Sequence, residues 1–490
     1  ARTEPTPHHR LTASVAGWPL AIGAAMTGWS LVLFSMAWSR YENFQFARYD
    51  LGNMVQAVRS TAEGRPLEAT DMAGEQTVRL AGHVDPILVL LAPVWIVAPS
   101  PLSLAAVQIA ACSLGALPVF WLGRKHLDSE AAGAMLALAY LAYPWLAWTV
   151  LDAIHPVTLA IPLLLYAVWF LDSGRPWAFA VCALLVLTTG ELMGLAIGGL
   201  GLWFWLARKQ RWAGLAIAAA GTGWTVFALK VVIPHYRGAK SPFYANYEAV
   251  GGSPEGIIQM AFTEPTAVLS ALTSLDDLAY LFSLSAPLAG AFFLAPGIVV
   301  AAVPQLAANM LSARDFYVDP RAHYIAAIVP FVFAATIFGL RRVRPRSRVR
   351  VAALLLVLSA ACTLLLGPGP GSFAKSGRFS GSHSESHIEA LREALALVPD
   401  GVPVSATNIA GARLSARRYY YNVPVVGKAE WIVVDQSDPA IPALGYSLRS
   451  QVRLQRFVNK IETAAGWRKV FGRERVLVFR RADAGGSGPS

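Results

Sequence analysis

The sequence predicts an α-helical polytopic membrane protein with a small α/β domain at its C-terminal end, and three observations predict it. Hydrophobic residues make up 55% of the 490 residues and charged ones 14%, where a soluble domain carries about a quarter. Long apolar runs recur between residues 15 and 366, separated by short basic clusters, and mean hydropathy is +0.47. After residue 367 the composition turns polar and strand-forming. The net charge of +11 lies largely in clusters beside apolar runs, where Lys and Arg set orientation and meet anionic headgroups. No basic stripe is interleaved with base-stacking aromatics, so no nucleic-acid partner is expected. Cys112, Cys182 and Cys362 fall inside apolar runs and predict packing, with neither a disulfide framework nor a cysteine metal site.

The run 15–38 is long enough to cross about 30 Å of hydrocarbon and follows a polar, basic start, which places the N-terminus inside. Its length, and the want of a small-residue cleavage site, argue against a signal peptide. The polar loop 40–86 then lies outside. Residues 87–98 form an apolar stretch of about a dozen residues with Pro93, read as re-entrant or interfacial. Further spans are expected over 102–122, 131–150, 157–171, 177–189, 192–206 and 212–233, and basic residues mark the inward ends at GRKHL, SGRP and ARKQR. A second outer loop covers 234–277. The run 278–311 is read as a hairpin of two short helices turning near Pro296, followed by spans 325–340 and 351–366 on either side of RRVRPRSRVR. The total is about eleven spans, within a unit covering residues 1–366.

Residues 367–385 read as a linker, 386–483 as an extracytoplasmic α/β domain and 484–490 as a disordered tail. Ser386 with Glu389 fits a capping box opening a helix with apolar positions at Ile388, Leu391, Leu395 and Val398. Strands are expected at VPVSATN, RRYYYNVP, EWIVVDQ and RVLVFRR, and a second helix over about 454–465.

Ionisable groups at membrane helices are costly and therefore functional candidates, and on this topology most of them gather at the outer level. Asp50, His83 and Asp85 lie in the first outer loop, Asp152 and His155 end the third span, Glu191 sits at an outer turn, and Arg321, His323 and Tyr324 open the tenth span. Asp50 can serve as a proton acceptor or as the N-cap of the amphipathic helix that follows, with Leu51, Met54, Val55 and Val58 on one face. Arg48 can tune that carboxylate or fix the loop. The spacing of Asp152 and His155 puts both on one helical face, where they orient a base, bind a metal or cap the helix. Glu191 needs a partner, whether in a site or across helices. Arg321 and His323 suit a phosphate, since a guanidinium binds its oxygens bidentately and an imidazole adds a hydrogen bond. Lys230 can add to that group or snorkel to headgroups.

RYDLGNMVQAVRSTAEGRPL, GHVDPILVLLAPVW, LDAIHPVTLAIPLLL, TTGELMGL and RAHYIAAIVPF together resemble a bacterial multi-spanning family of unknown function grouped with the GT-C glycosyltransferases. The resemblance covers roughly residues 41–340. It departs from the family pattern at HVDP, at DAIHPVT and in keeping only the acid near Glu191. The resemblance implies a polyprenyl-phosphate sugar donor, transfer to a cell-envelope acceptor on the outer face of the bacterial membrane, and inversion. It also implies a catalytic carboxylate in the first outer loop, and Asp50 is the matching position. The expected scheme has Asp50 as general base and Arg321, His323, Tyr324 and Lys230 at the donor phosphate. Arg48, His83, Asp85, Asp152, His155 and Glu191 support them. The scheme requires no metal or other cofactor and is compatible with a divalent cation. A transporter or flippase of an anionic or lipid-linked solute, or an envelope scaffold, is the alternative.

Overall fold

The computed structural model describes residues 17–369, 372–373, 383–438 and 448–482. The basic N-terminal residues, most of the expected linker and the expected tail 484–490 lie outside the described residues. Helix α1 (Gly17–Glu42) leads into the first polar loop, which folds α2 (Asn53–Ala62) and an antiparallel hairpin, β1 (Glu68–Thr70) with β2 (Gln76–Val78). A bent apolar segment, Pro86–Val97, precedes α3 (Pro101–Leu127), α4 (Glu130–Leu141) and α5 (Pro144–Leu151). Next come α6 (Ala160–Asp172), α7 (Pro176–Leu187), α8 (Met193–Arg208), α9 (Arg211–Arg237), α10 (Val329–Leu340) and α11 (Pro345–Leu366).

By length and composition α1, α3, α9 and α11 can each cross a membrane, and two bent pairs raise the number to six among the described residues. The pairs are α4 with α5, bent by 43°, and Pro265–Ala271 with Leu275–Leu288, bent by 56°. About eleven spans are expected; among the described residues these helices account for up to six, and the other apolar runs fold as shorter helices. The expected hairpin over 278–311 is one example. Pro287, Gly290 at φ 65°, Pro296 and Pro304 cut it into Leu275–Ser285, short turns and Val303–Met310.

Helix α10 explains how short helices remain inside. It is apolar all round and buried everywhere except Phe338, so it fills the centre of the bundle and meets little lipid. Tyr140 and Tyr143 pack their rings edge-on against Phe333 and send their hydroxyls to the carbonyls of Cys112 and Leu284, both at 2.8 Å. Helices α8 and α9 approach closely through small residues. A Cβ on Gly194 would lie 2.2 Å from the Gly221 carbonyl oxygen, and one on Gly201 2.4 Å from Ala218 N. At the far end of the bundle the C-terminal turns of α3, α6 and α8 meet. The buried Asp172 carboxylate takes Lys125 at 2.8 Å and His126 at 2.7 Å, and also Arg208.

The C-terminal domain is a five-stranded sheet in the order β4 (Tyr420–Asn422), β3 (Val404–Ala406), β5 (Trp431–Asp435), β7 (Val476–Arg481), β6 (Trp467–Arg473). β3 runs parallel to β4 and β5, while β7 is antiparallel to β5 and β6. All five residues of β5 are buried, as a strand covered on both faces requires. Helices α12 (Glu385–Ala396) and α13 (Asn408–Leu414) cover one face, and α14 (Leu448–Thr463) covers the other. The cap of α12 is Ser384, whose hydroxyl accepts from His387 N at 3.2 Å, not the expected Ser386.

This domain is locked onto the first polar loop. Phe44 of the loop belongs to the apolar cluster of the domain, and Ala412 of α13 belongs to the cluster built by α2 and its neighbours. Burial of Phe44, 2% exposed, is worth about 3 kcal/mol at its lower bound when truncated. Cleavage at a protease site engineered between residues 374 and 382 should therefore leave the C-terminal fragment bound to the membrane part through affinity purification. Phe44→Ala should release much of it, and quantitative release from the unmutated protein would contradict the docking.

Candidate functional site

The first polar loop sets Asp50 on a single π-helical turn, Arg48–Gly52, that runs straight into α2. Such turns are rare and are often found where a side chain must be aimed. Asp50 is not the cap of α2: that position is Gly52, and it makes no side-chain cap bond. Arg48 is 1% exposed. Its Nη2 donates to Gln56 Oε1 and to the Thr70 carbonyl, both at 3.0 Å, and its guanidinium lies 4.7 Å from the Tyr420 ring centre. Burial holds its pKa down to about 10. Gln56 completes the tie by donating to Thr70 Oγ1 at 3.0 Å and to the Arg418 carbonyl at 2.8 Å. From the C-terminal domain, Asn408 Oδ1 accepts the Tyr49 N–H at 3.0 Å. Gly52 allows the close fit, since a Cβ there would lie 2.2 Å from Ser415 Oγ.

Asp152 caps the end of α5, where the chain leaves the helix through Ala153 at φ 122°. Asp152 and His155 therefore meet across a turn, and not along one helical face as the spacing predicts. Asp152 Oδ2 accepts the His323 N–H at 3.2 Å and faces His323 Nδ1 at 3.0 Å and His155 Nε2 at 3.8 Å. A carboxylate opposite Nδ1 places the proton there and orients Nε2 as the outward nitrogen. Leu51, next to Asp50, and Ala153, next to Asp152, share one buried apolar cluster, so the two acidic segments are neighbours.

The rings of His155 and His323 stack at 3.5 Å and 19°; Tyr324 lies tilted by 37° against His323 at 4.2 Å and stacks on Tyr317 at 4.1 Å. Arg321 is locked by Asp319, with Nε at 2.8 Å from Oδ1 and Nη2 at 2.9 Å from Oδ2. Asp152, His155 and His323 each offer a ligand atom, all within 4.8 Å of one another, a set suited to a divalent transition metal. In-plane lone pairs of two stacked rings cannot converge on one point, so holding a cation with all three requires one imidazole to turn.

Glu191 accepts from Val84 N at 3.1 Å and faces His83 Nδ1 at 3.3 Å. Burial raises its pKa, but the charge of His83 and these hydrogen bonds outweigh that and hold the carboxyl below its ordinary value. The His83 ring also packs, tilted by 30°, against Phe243 of the second polar loop at 4.6 Å. Asp85 is buried and paired with Arg79, with Nη2 at 2.7 Å. These groups share an electrostatic neighbourhood with the Asp50 turn. Burial and then Asp50 push the Tyr49 hydroxyl above its ordinary pKa while Arg79 and Arg314 oppose them, and Tyr317 feels both Glu191 and Tyr49. Lys230, expected at the donor phosphate with Arg321, is paired with Glu255 at 2.6 Å.

The sequence reading missed Gln56, Arg79 and Asp319, which bond residues it named, and Asn408, which bonds Tyr49 beside Asp50. Arg79 and Asp319 had a signal, since each lies within six residues of its partner in a polar segment. Gln56→Leu removes an amide whose partners stay buried, at a cost of about 2 kcal/mol or more. It should lower the thermal unfolding midpoint in detergent, and an unchanged midpoint would refute the role assigned to Gln56.

No curated protein matches the chain. A solved structure similar to it is the archaeal oligosaccharyltransferase AglB from Archaeoglobus fulgidus, determined in complex with an inhibitory peptide and a dolichol-phosphate. The identity is 11% and the TM-score 0.44, over 83% of this chain and 69% of that one. A family model described as a predicted membrane protein (DUF2079) matches residues 40–463, from the first polar loop to the last helix of the C-terminal domain, and the chain belongs to that family.

Proposed function

We propose that the protein is a GT-C-type membrane glycosyltransferase that moves a sugar from a polyprenyl-phosphate donor to a cell-envelope acceptor outside the bacterial membrane. The observation that carries the reading is the pairing of a fixed carboxylate with a fixed guanidinium and an oriented imidazole on neighbouring segments. Asp50 is held on its π-turn from both sides, Arg321 is locked by Asp319, and His323 is oriented by Asp152. In this scheme Asp50 takes the proton of an acceptor hydroxyl as its oxygen attacks the anomeric carbon. The bond from that carbon to the phosphate oxygen breaks with inversion, and the lipid phosphate leaves with the electron pair. Arg321, and His323 Nε2 when the ring carries both protons, address the charge that grows on the phosphate, where preorganised donors lower a barrier most. The pairings of His83 with Glu191 and of Arg79 with Asp85 support the surrounding loops. In this arrangement the N-terminus is cytoplasmic and the docked C-terminal domain is extracytoplasmic, bordering the acceptor side.

The test is reconstitution in liposomes with radiolabelled polyprenyl-phosphate sugars. Wild type should release or transfer the sugar, and Asp50→Asn should lose at least about a hundredfold in turnover while still binding donor. Full turnover in Asp50→Asn would overturn the role of Asp50. Movement of donor across the bilayer without bond cleavage would assign a flippase. Turnover should also survive a chelator. Loss with chelator and recovery on adding Mn²⁺ would make Asp152, His155 and His323 ligands of a required cation.

A further inference from the structure

Helix α3 carries one buried side-chain amide, Gln108, 2% exposed. An amide inside an apolar span is costly unless every polar atom is bonded, and all of the bonding capacity used here goes to one turn. Gln108 Nε2 donates to the Val150 carbonyl at 3.0 Å and to the Ala153 carbonyl at 2.8 Å, and Oε1 accepts the His155 N–H at 3.0 Å. The orientation is unambiguous, because a flipped carboxamide would set donors against the His155 N–H and an acceptor against two carbonyls. The turn it clasps is strained: Ala153 has φ 122°, a conformation that residues with a Cβ rarely adopt. On either side of Ala153 stand Asp152, which receives both the backbone and ring N–H of His323, and His155, which stacks on the same ring.

We propose that Gln108 is a positioning residue. It holds the strained 152–155 turn in the one geometry in which Asp152 and His155 set the His323 ring. The inference rests on the reading that His323 addresses the donor phosphate. Gln108 itself touches only the backbone, and its effect reaches the chemistry through Asp152. If it served merely to fill space, leucine would replace it and the turn would keep its shape. Because φ at Ala153 is unfavourable for alanine and open to glycine, loss of the clasp should be repaired by glycine at that position.

The experiment compares wild type, Gln108→Leu, Ala153→Gly and the double variant in the reconstituted full-length protein. Gln108→Leu should keep its KM for the donor within about twofold and lose on the order of 100-fold in kcat, as expected for a misplaced reacting group. The double variant should regain at least about a tenth of the wild-type kcat. A readout independent of turnover is modification of His323 by diethyl pyrocarbonate, followed by mass spectrometry. It should rise several-fold in Gln108→Leu and fall back in the double variant. Unchanged kcat and unchanged His323 reactivity in Gln108→Leu would overturn the proposal. So would losses that Ala153→Gly leaves untouched, since those mark a general packing role. If wild type turns over no donor, the reading of the site fails, while the reactivity of His323 in the four proteins still decides the role of Gln108.

Discussion

Arg48 is a guanidinium sealed from water, and the docking of the C-terminal domain on the first polar loop follows from the need to satisfy it. Leaving a buried charge without partners costs several kcal/mol, so the elements that supply those partners must assemble together. Gln56 comes from α2, the Thr70 carbonyl from β1 and the Tyr420 ring from β4 of the C-terminal domain. Nε and Nη1 of Arg48 meet no acceptor, which leaves the ring face to carry part of the charge. Gly411 must be glycine for this packing, since a Cβ there would stand 1.9 Å from the Tyr420 hydroxyl oxygen and 2.8 Å from Arg48 Cβ. The turn bearing Asp50 is the short segment between these anchors.

The polar map was legible in the sequence because a charge beside an apolar run is improbable without a partner or a task. Asp152, His155, Glu191 and His323 stood out for that reason, and the structure joins Asp152 to His323 and Glu191 to His83. What the sequence could not give is the identity of partners distant in the chain. Asn408 meets Tyr49 across 359 positions, and Gln108 meets His155 across 47, and neither amide carries a local mark. The span count was not legible for a related reason: an apolar run states that a segment is buried, not whether lipid or protein buries it, and α10 is surrounded by protein. Strand β6 was missed because it is a basic edge strand without strict alternation, exposed at Arg468, Lys469, Gly472 and Arg473. The cap of α12 was displaced by two residues because Ser384 and Ser386 offer the same local chemistry.

Two polar levels organise the bundle. At one end Asp172 gathers Lys125, His126 and Arg208 and ties three helices together. At the other, carboxylates fix imidazoles and a guanidinium in pairs: Asp152 with His323, Glu191 with His83, Asp319 with Arg321. In the first case the charges consume one another and the result is a structural clamp. In the second the pairing fixes ring stacks and a partly exposed guanidinium, and the proposed site relies on that preorganisation. The strain at Ala153 lies at this end and not at the clamp.

The most direct measurement is a cryo-electron microscopy structure of the wild-type protein in lipid nanodiscs with a non-cleavable polyprenyl-phosphonate sugar. The account predicts the phosphonate against Arg321 and His323, with the anomeric carbon facing the Asp50 turn and the C-terminal domain still docked on Arg48 and Tyr49. A ligand seated at a distance from Asp50, or a C-terminal domain detached from the first polar loop, would contradict it.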